Sequence, residues 1–580
     1  MDPWNWEEQA ACLNPRRLFD HFLKRQPDVG NATGRRLFYL AGDIHMESRS
    51  VSAGKSMVQA RPTIVVILLG SVLSAAALLS ADDASPFAAT DPVPETPLDK
   101  LVFGRLRTVG IEPALPCSDA VFLRRAYLDI IGTLPTAREA RDFLADASPS
   151  KRGVLVDRLL EREEFADYWA MRWSDILRVK AEFPINLWPN AAQAYHRWIR
   201  TSIKQNKPYD LFVAEMLTAS GSSFRVAEVN FYRAVQSKDP QTVAQAVALT
   251  FMGTRAENWP KERLDGMAAF FSRLGYKTTT EWKEEIVYFD LDKADGPLSG
   301  AVFPDGTPAK IAPDQDPREL LAAWLISPKN PWFARNIANR AWSWLVGRGI
   351  IHEPDDIRPD NPPSNPELLA YLEQELIASK FDLKHLFRII LNSRTYQLSS
   401  VPRGKGAEAV ANFAFYPTRR LEAEVLIDAI CQITGTTEKY SSPIPEPFTF
   451  IPEQNRTIML PDGSISSSFL EMFGRPPRDT GMESERTNKP TPAQRLHFLN
   501  SSHIQRKLEQ GGRIQPLLQE EGSVREAVPA IYLTILSRFP TEQELAAVEA
   551  YAKTPDLKNR QALQDLVWAL VNSMEFQYRH

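Results

Sequence analysis

The densest gathering of chemically capable side chains is HEPDDIRPDNPPSNPE, from His352 to Glu367. His352, Asp355, Asp356 and Asp360 fall there on a Pro-rich loop, just after a helical segment ended by Gly347 and Gly349. An imidazole and several carboxylates on one loop can hold Ca²⁺, Mg²⁺ or a transition metal, which makes a divalent cation the candidate cofactor. Asp, Asn and Pro are also ordinary turn formers and helix caps, and Asn365-Pro366-Glu367 reads as a plain helix start. A second candidate is GRPPRDTGMESER, with Arg475, Arg478, Asp479, Glu483, Glu485 and Arg486. Its three arginines suit an anionic ligand, such as a sulfated or uronic-acid glycan, held by bidentate contacts. The same charges would equally serve as a salt-bridged clamp that locks the loop onto neighbouring helices, the commoner use of such networks.

Other catalytic signatures are missing. The chain has no G-x-S-x-G, HExxH or G-x-G-x-x-G, and Arg49 stands where the AGKS at Ala53 to Ser56 would need its first P-loop glycine. His196, His385, His497 and His503 sit in helical patterns, and the six-residue spacing of the last two is a poor helical register for sharing a metal. Trp324, Trp332, Trp342 and Trp344 belong mostly to core stripes, although an exposed tryptophan could stack on a sugar ring. The three cysteines, Cys12, Cys117 and Cys431, form no CxxC or CxxCH, so a zinc ribbon and covalent c-type haem are both excluded. A Cys117–Cys431 disulfide stays open, with two isolated thiols the commoner case.

Positioning these groups takes a large body. A chain of 580 residues, 43% hydrophobic, can bury substantial cores in two to four domains. A net charge of -4 argues against nucleic acid or an anionic membrane surface as partner. Thr63 to Ala81 carries no charge, with Lys55 and Arg61 before it and Asp82 and Asp83 after it. The cations stay on the cytoplasmic side, so the rest of the chain is expected in the periplasm or at the cell surface. The run at 63–81 suits a cleaved signal peptide or an uncleaved membrane anchor equally. The leader at 1–62 is long for export, and a true start at Met46 or Met57 would leave a more ordinary signal.

Residues 82–97 read as a flexible linker. From 98 to 282 the apolar spacing is helical: Phe122, Leu123, Ala126, Tyr127 and Ile130 share a face, Gly132 ends that helix, and Thr136 with Glu139 opens the next as a capping box. Further helices are expected through 155–160, 168–177, 192–203 and 243–252. Between 283 and 315, EEIVYFDLD and GAVFPDGTPAKI alternate in the manner of a small β-hairpin or linker. Helical periodicity returns over 316–580, broken by a long loop at 441–492 that is functional or disordered. The fold class is thus mainly α, two associated multi-helix domains with a small β-hairpin between them.

Two echoes suggest a repeated building block. Tyr127-Leu128-x-Ile130-Ile131 before Leu134-Pro135-Thr136-x-x-Glu139 matches Tyr532-Leu533-x-Ile535-Leu536 before Phe539-Pro540-Thr541-x-x-Glu544. Leu391-Asn392-Ser393-x-x-Tyr396-Gln397 matches Val571-Asn572-Ser573-x-x-Phe576-Gln577. Each is a recurring helical corner with a capped second helix.

Longer strings carry a resemblance. FLRRAYLDIIGTLPTAREARDFL, LVDRLLEREEFADYWAMRWSDILR and NFYR in the first half resemble one part of a two-part family abundant in planctomycetes and related bacteria. NPWFARNIANRAWSWLVGRGI, DDIRPDNPPSNPELL, DLKHLFRIILNSRTYQLSS, RRLEAEVLIDAI and TPAQRLHFLNSSHI resemble the other. These parts are the domains of unknown function fifteen-forty-nine, also called planctomycete cytochrome-2-like, and fifteen-fifty-three. Many relatives carry a CxxCH-like stretch after the helix that here ends FMGTR, but this chain has Asn258-Trp259-Pro260 near that place, so no haem role carries over. The expected function is binding of another exported protein or a polysaccharide, with a polysaccharide-degrading hydrolase or lyase as the alternative.

Overall fold

A computed structural model of the chain describes residues 87, 90–293, 300–312, 314–404, 406–451, 454–518 and 523–580. The leader, the apolar run at 63–81, Cys12 and linker residues 82–86, 88 and 89 lie outside the described residues. Among those described, no helix is long and apolar enough to cross a membrane.

Helix Asp119–Ile131 shows how local sequence sets the elements. Ser118 accepts from the Val121 amide at 3.4 Å to open it, and Gly132 closes it in the left-handed region at φ 57°. Thr136 and Glu139 then bond reciprocally across the first turn of Ala137–Ala145. Lys151–Leu160, Glu163–Ile176, Pro189–Lys204 and Pro240–Val247 follow, the last running on as a π turn to Met252. In the second half, Asn365 caps Pro366–Ala378 with Pro at the first helical position, where the missing N–H costs nothing. The fold is mainly α-helical, as the periodicity implies.

The β element differs from its expected form. The strand at Glu285–Phe289 (β3) pairs not with 300–311 but backwards, antiparallel with Leu274–Thr278 (β2) and with Gly221–Ser222 (β1), in the order β1-β3-β2. The turn chemistry lies upstream: Lys283 takes φ 64°, and the Thr279 hydroxyl donates to Glu284 at 2.6 Å. Segment 300–311 contributes only an isolated bridge, Val302 to Pro308. Arg419–Arg420 (β4) pairs with Tyr578–Arg579 (β5) in a separate two-stranded ribbon.

A single apolar core runs through both halves. Helix Tyr209–Thr218 packs on Pro317–Leu325, Pro97–Val109 on Pro366–Ala378, and Ala137–Ala145 on Val524–Leu536. Trp169 and Trp173, one turn apart, meet Trp344 of the second half at ring-centroid distances of 5.2 and 5.8 Å, and Trp169 meets Phe387 at 4.5 Å. Large aromatic payloads on facing helices give that seam much of its apolar area.

Both sequence echoes are structural. Helices Asp119–Ile131 and Val524–Leu536 each end on a left-handed residue, Gly132 at 57° and Ser537 at 62°, and each leads into a reciprocal Thr–Glu box. In the second echo, Ser393 Oγ accepts from the Tyr396 amide at 3.1 Å and Ser573 Oγ from the Phe576 amide at 3.2 Å. Asn392 and Asn572 each bond the carbonyl four residues back, at 3.0 and 2.9 Å. The two corners differ at the cap. A Cβ on Gly132 would lie 2.5 Å from Tyr168, whereas Ser537 is buried with its hydroxyl unpaired among the described residues. Ser537→Gly should therefore raise stability by about 1 kcal/mol and Gly132→Ala lower it by more than about 1 kcal/mol, read by denaturant unfolding. Equal effects at the two positions would mean that the corners are not capped alike.

Candidate functional site

The loop 352–360 leaves helix Phe333–Val346 through Gly347, held at φ 91°. Its four candidate residues do not converge. Asp355 turns inward, where it is 1% exposed, and accepts from Arg340 at 2.6 Å and from the Glu483 amide at 2.7 Å. Asp356 and Asp360 both face Arg358, at 3.3 and 3.4 Å, and His352 lies 3.9 Å from Glu353. Among the described residues no group of three or more His, Cys, Asp or Glu side chains is placed to hold a metal ion. Burial pushes the Asp355 carboxyl up from its ordinary value despite Arg340 beside it.

Most of the arginine-rich loop is spent internally. Arg486 bridges Asp175 at 2.6 Å and Glu424 at 2.7 Å, and Arg478 holds the other Asp175 oxygen at 2.9 Å. Arg475 lies 3.5 Å from Glu424 and donates to the carbonyls of Ile465 and Asp462. Glu483 accepts from the Trp344 indole at 2.5 Å and faces Arg172 at 3.3 Å. Glu485 accepts from the Asp479 and Thr480 amides, at 3.3 and 2.6 Å. Burial would raise the Asp175 carboxyl, but Arg486, Arg478 and Arg172 outweigh it and hold it below its ordinary value. Glu422 next to this network is likewise depressed, with Arg579, Arg172 and Arg486 overcoming its burial. The two polar loops do touch, through Asp355 and the Glu483 amide, yet the joint is closed and buried rather than an open pocket.

An open cleft of about 520 Å³ lies on the other side of this clamp. One wall is Lys180 and Glu182 of the first half; the other is Ser441, Ser442, Pro443, Gly463, Ser464, Ser466, Glu471, Arg475, Pro476 and Pro477 of the second. Backbone bonds stitch the walls at the floor. The Gly463 amide donates to the Val179 carbonyl at 2.9 Å, the Ala181 amide to Asp462 at 2.8 Å and the Glu182 amide to the Ser464 hydroxyl at 2.9 Å. Arg478, donating to the Val179 carbonyl at 3.3 Å, ties that floor to the buried network. Lys180 is held by Asp479 at 2.6 Å. Of the six candidates in the arginine-rich loop, Arg475 lines the cleft and Asp479 reaches it through Lys180.

Large aromatics stand exposed on the segments that build these walls. Phe183 follows Glu182 and is 76% exposed; Phe448 and Phe450, on the loop after Pro443, are 49% and 68% exposed. Trp188 packs its indole against Phe448 at a tilt, ring centroids 5.4 Å apart, and Lys283 bridges Trp188 and the exposed Trp282, at 5.7 and 5.5 Å. The four tryptophans singled out by sequence lie elsewhere: Trp342 and Trp344 are buried, Trp324 and Trp332 half-buried. The available signal was aromatic residues inside Pro-rich, aperiodic strings, AEFPINLWPN and IPEPFTFIPE, where no core stripe could bury them. A second cavity, of about 30 Å³ between Phe165, Trp173 and Phe212, has room for little more than a water.

His497 and His503 correct another expectation. A break at Ser501 separates helices Pro492–Asn500 and Ser502–Gln510, and the corner brings the imidazoles together, Nε2 to Nδ1 at 3.4 Å. His503 continues to Glu438 at 2.9 Å, and Lys507 occupies the same carboxylate at 3.1 Å. Cys117 and Cys431 are both free thiols.

Residues 97–264 match the family described as PSCyt2, protein of unknown function (DUF1549). Residues 317–552 match PSD1, protein of unknown function (DUF1553), so the chain has the two-part arrangement of these families in the expected order. No curated protein and no solved structure matches the chain.

The clamp makes a signed pH prediction. Asp175 and Glu422 titrate lower folded than unfolded, so their stabilisation is complete above the unfolded carboxylate value and is lost as pH falls below about 4. Asp175→Asn should cost about 3–5 kcal/mol near neutral pH and lower Tm by about 3–5 °C, with a shallower acid decline than the parent. Parallel acid limbs in a thermal-melt series would show that this carboxylate does not carry the effect.

Proposed function

We propose that this chain, which joins a PSCyt2 part to a PSD1 part, binds a polysaccharide in the cleft between its halves. The observation that carries the reading is the cleft itself: about 520 Å³, walled by serine hydroxyls, prolines and two glutamates. Sugar rings present hydroxyls at their edges and apolar C–H faces, and a wall that contains both Ser and Pro offers partners to both. The exposed aromatics on the same segments add flat surfaces for stacking. The net charge of -4 and the missing basic excess keep nucleic acid out of consideration.

Binding is favoured over turnover because the residues best suited to catalysis are engaged elsewhere. Asp355 is bonded to Arg340, and Arg478 and Arg486 to Asp175. We further propose that the body works outside the cytoplasm, exported or anchored by the apolar run at 63–81.

The test is titration calorimetry of the full chain against a panel of oligosaccharides, with reducing-end release measured on the same samples. Saturable binding to at least one oligosaccharide without release is expected. Phe448→Ala with Phe450→Ala should weaken it about tenfold, or about 1.4 kcal/mol. Release of new reducing ends would replace the binding reading with a hydrolase or lyase. Absence of binding across the panel would remove it.

A further inference from the structure

Resting on the polysaccharide reading, we infer that the polymer seated in the cleft carries free amino groups rather than sulfate or carboxylate groups. The sequence suggests the opposite, since three arginines cluster on the loop that forms one wall. Geometry reverses the sign. Arg478 and Arg486 lie beneath the cleft on Asp175 and Glu424. The two cations that do line it are already engaged: Lys180 with Asp479 at 2.6 Å, and Arg475 with the carbonyls of Ile465 and Asp462, 3.5 Å from a Glu424 that it shares with Arg486.

The anions of the lining are left over. Glu182 is half-buried and Glu471 exposed, and neither side chain has a hydrogen bond or ion pair among the described residues. Asp462, directly before the lining residue Gly463, is 1% exposed and stitches the walls together rather than lining the cleft. Its Oδ1 accepts from the Ala181 and Ser464 amides at 2.8 Å each, while its buried Oδ2 has no hydrogen bond among the described residues. A sulfate or uronate entering here would meet the unpaired carboxylates of Glu182 and Glu471, with both lining cations already engaged by protein groups. An ammonium would find carboxylate acceptors, and the hydroxyls of Ser441, Ser442 and Ser466 suit the ring hydroxyls around it.

The experiment compares three hexasaccharides on the full chain by calorimetry: β-1,4-glucosamine, its fully N-acetylated form, and galacturonate. At about pH 5.5 most of the sugar amines are protonated and the galacturonate carboxyls are ionised. The glucosamine hexamer should bind about tenfold tighter than the N-acetylated one, the galacturonate weakest, and the preference should shrink as salt is added. Glu182→Gln with Glu471→Gln should bring the ratio of the first two affinities towards one, while an unchanged thermal transition shows that the variant is folded. If the N-acetylated or galacturonate hexamer binds tightest, or the amine preference survives in the double variant, the inference is overturned and the polysaccharide reading stands. If none of the three binds while other oligosaccharides do, the inference alone falls; if none in any panel binds, both fall.

Discussion

Charged side chains taken out of water must be met by partners, and in this molecule one helix takes three of them into the core at once. Arg124, Arg125 and Asp129 all lie on Asp119–Ile131 and are at most 2% exposed. Every group they bond belongs to the second half. Arg124 donates to the carbonyls of Ile535 and Phe576 at 2.9 and 2.8 Å; Arg125 donates to those of Tyr396, Leu398 and His580. Asp129 accepts from the hydroxyls of Tyr396 and Tyr416, both at 2.8 Å, and faces Arg579 at 3.1 Å. A face of this kind closes only against a second half that supplies every partner, because each guanidinium or carboxylate left buried without one would cost several kcal/mol. The halves are therefore one folding unit in energetic terms, whatever their separate lineages.

The same requirement propagates to the cleft. Arg579 links Asp129 to Glu422, Arg172 reaches from Glu422 to Glu483, and Arg486 and Arg478 tie the loop to Asp175. Such a buried ionic lattice is seldom the most stabilising way to fill a space, because desolvation offsets much of the attraction. What it does provide is geometry. A long loop rich in Pro and Gly is held in one conformation by charges whose partners sit on three separate helices or turns, so a cleft wall can be made from aperiodic chain.

That division also explains what could be read from sequence. Helix starts were legible at Thr136, Asn365 and Thr541 because capping is local: donor and acceptor lie within three residues. The fold class follows from such signals and from the apolar period. The ion pairs are another matter. Arg478 and Asp175 are 303 positions apart, and nothing near either residue marks the other. Hence the arginine-rich loop reads from sequence as a clamp, the commoner use of such charges, or as an anion site, and only the three-dimensional pairing separates them. The strand at 285–289 failed for a related reason: its alternation was visible, but partner choice was set by a turn at 279–284 and by a two-residue strand at 221–222 too short to see. His497 and His503 were judged on one continuous helix, and a single break at Ser501 changed their relation.

The duplicated corners show how one local solution acquires two roles. Helix Val524–Leu536 repeats the first-half helix in sequence and in its left-handed end, and it packs on Ala137–Ala145, the second helix of the first corner. Arg124 reaches across to the Ile535 carbonyl in the last turn of the repeat, a carbonyl that a helix end leaves short of donors. One corner thus supplies the cation that completes the other. The repeat has no arginine pair at the equivalent place, since Pro529 and Ala530 stand four and three positions before Leu533 where Arg124 and Arg125 precede Leu128. A donor on one corner and an acceptor on the other make two similar apolar corners into a pair that recognise each other, and an apolar face alone could not specify that register.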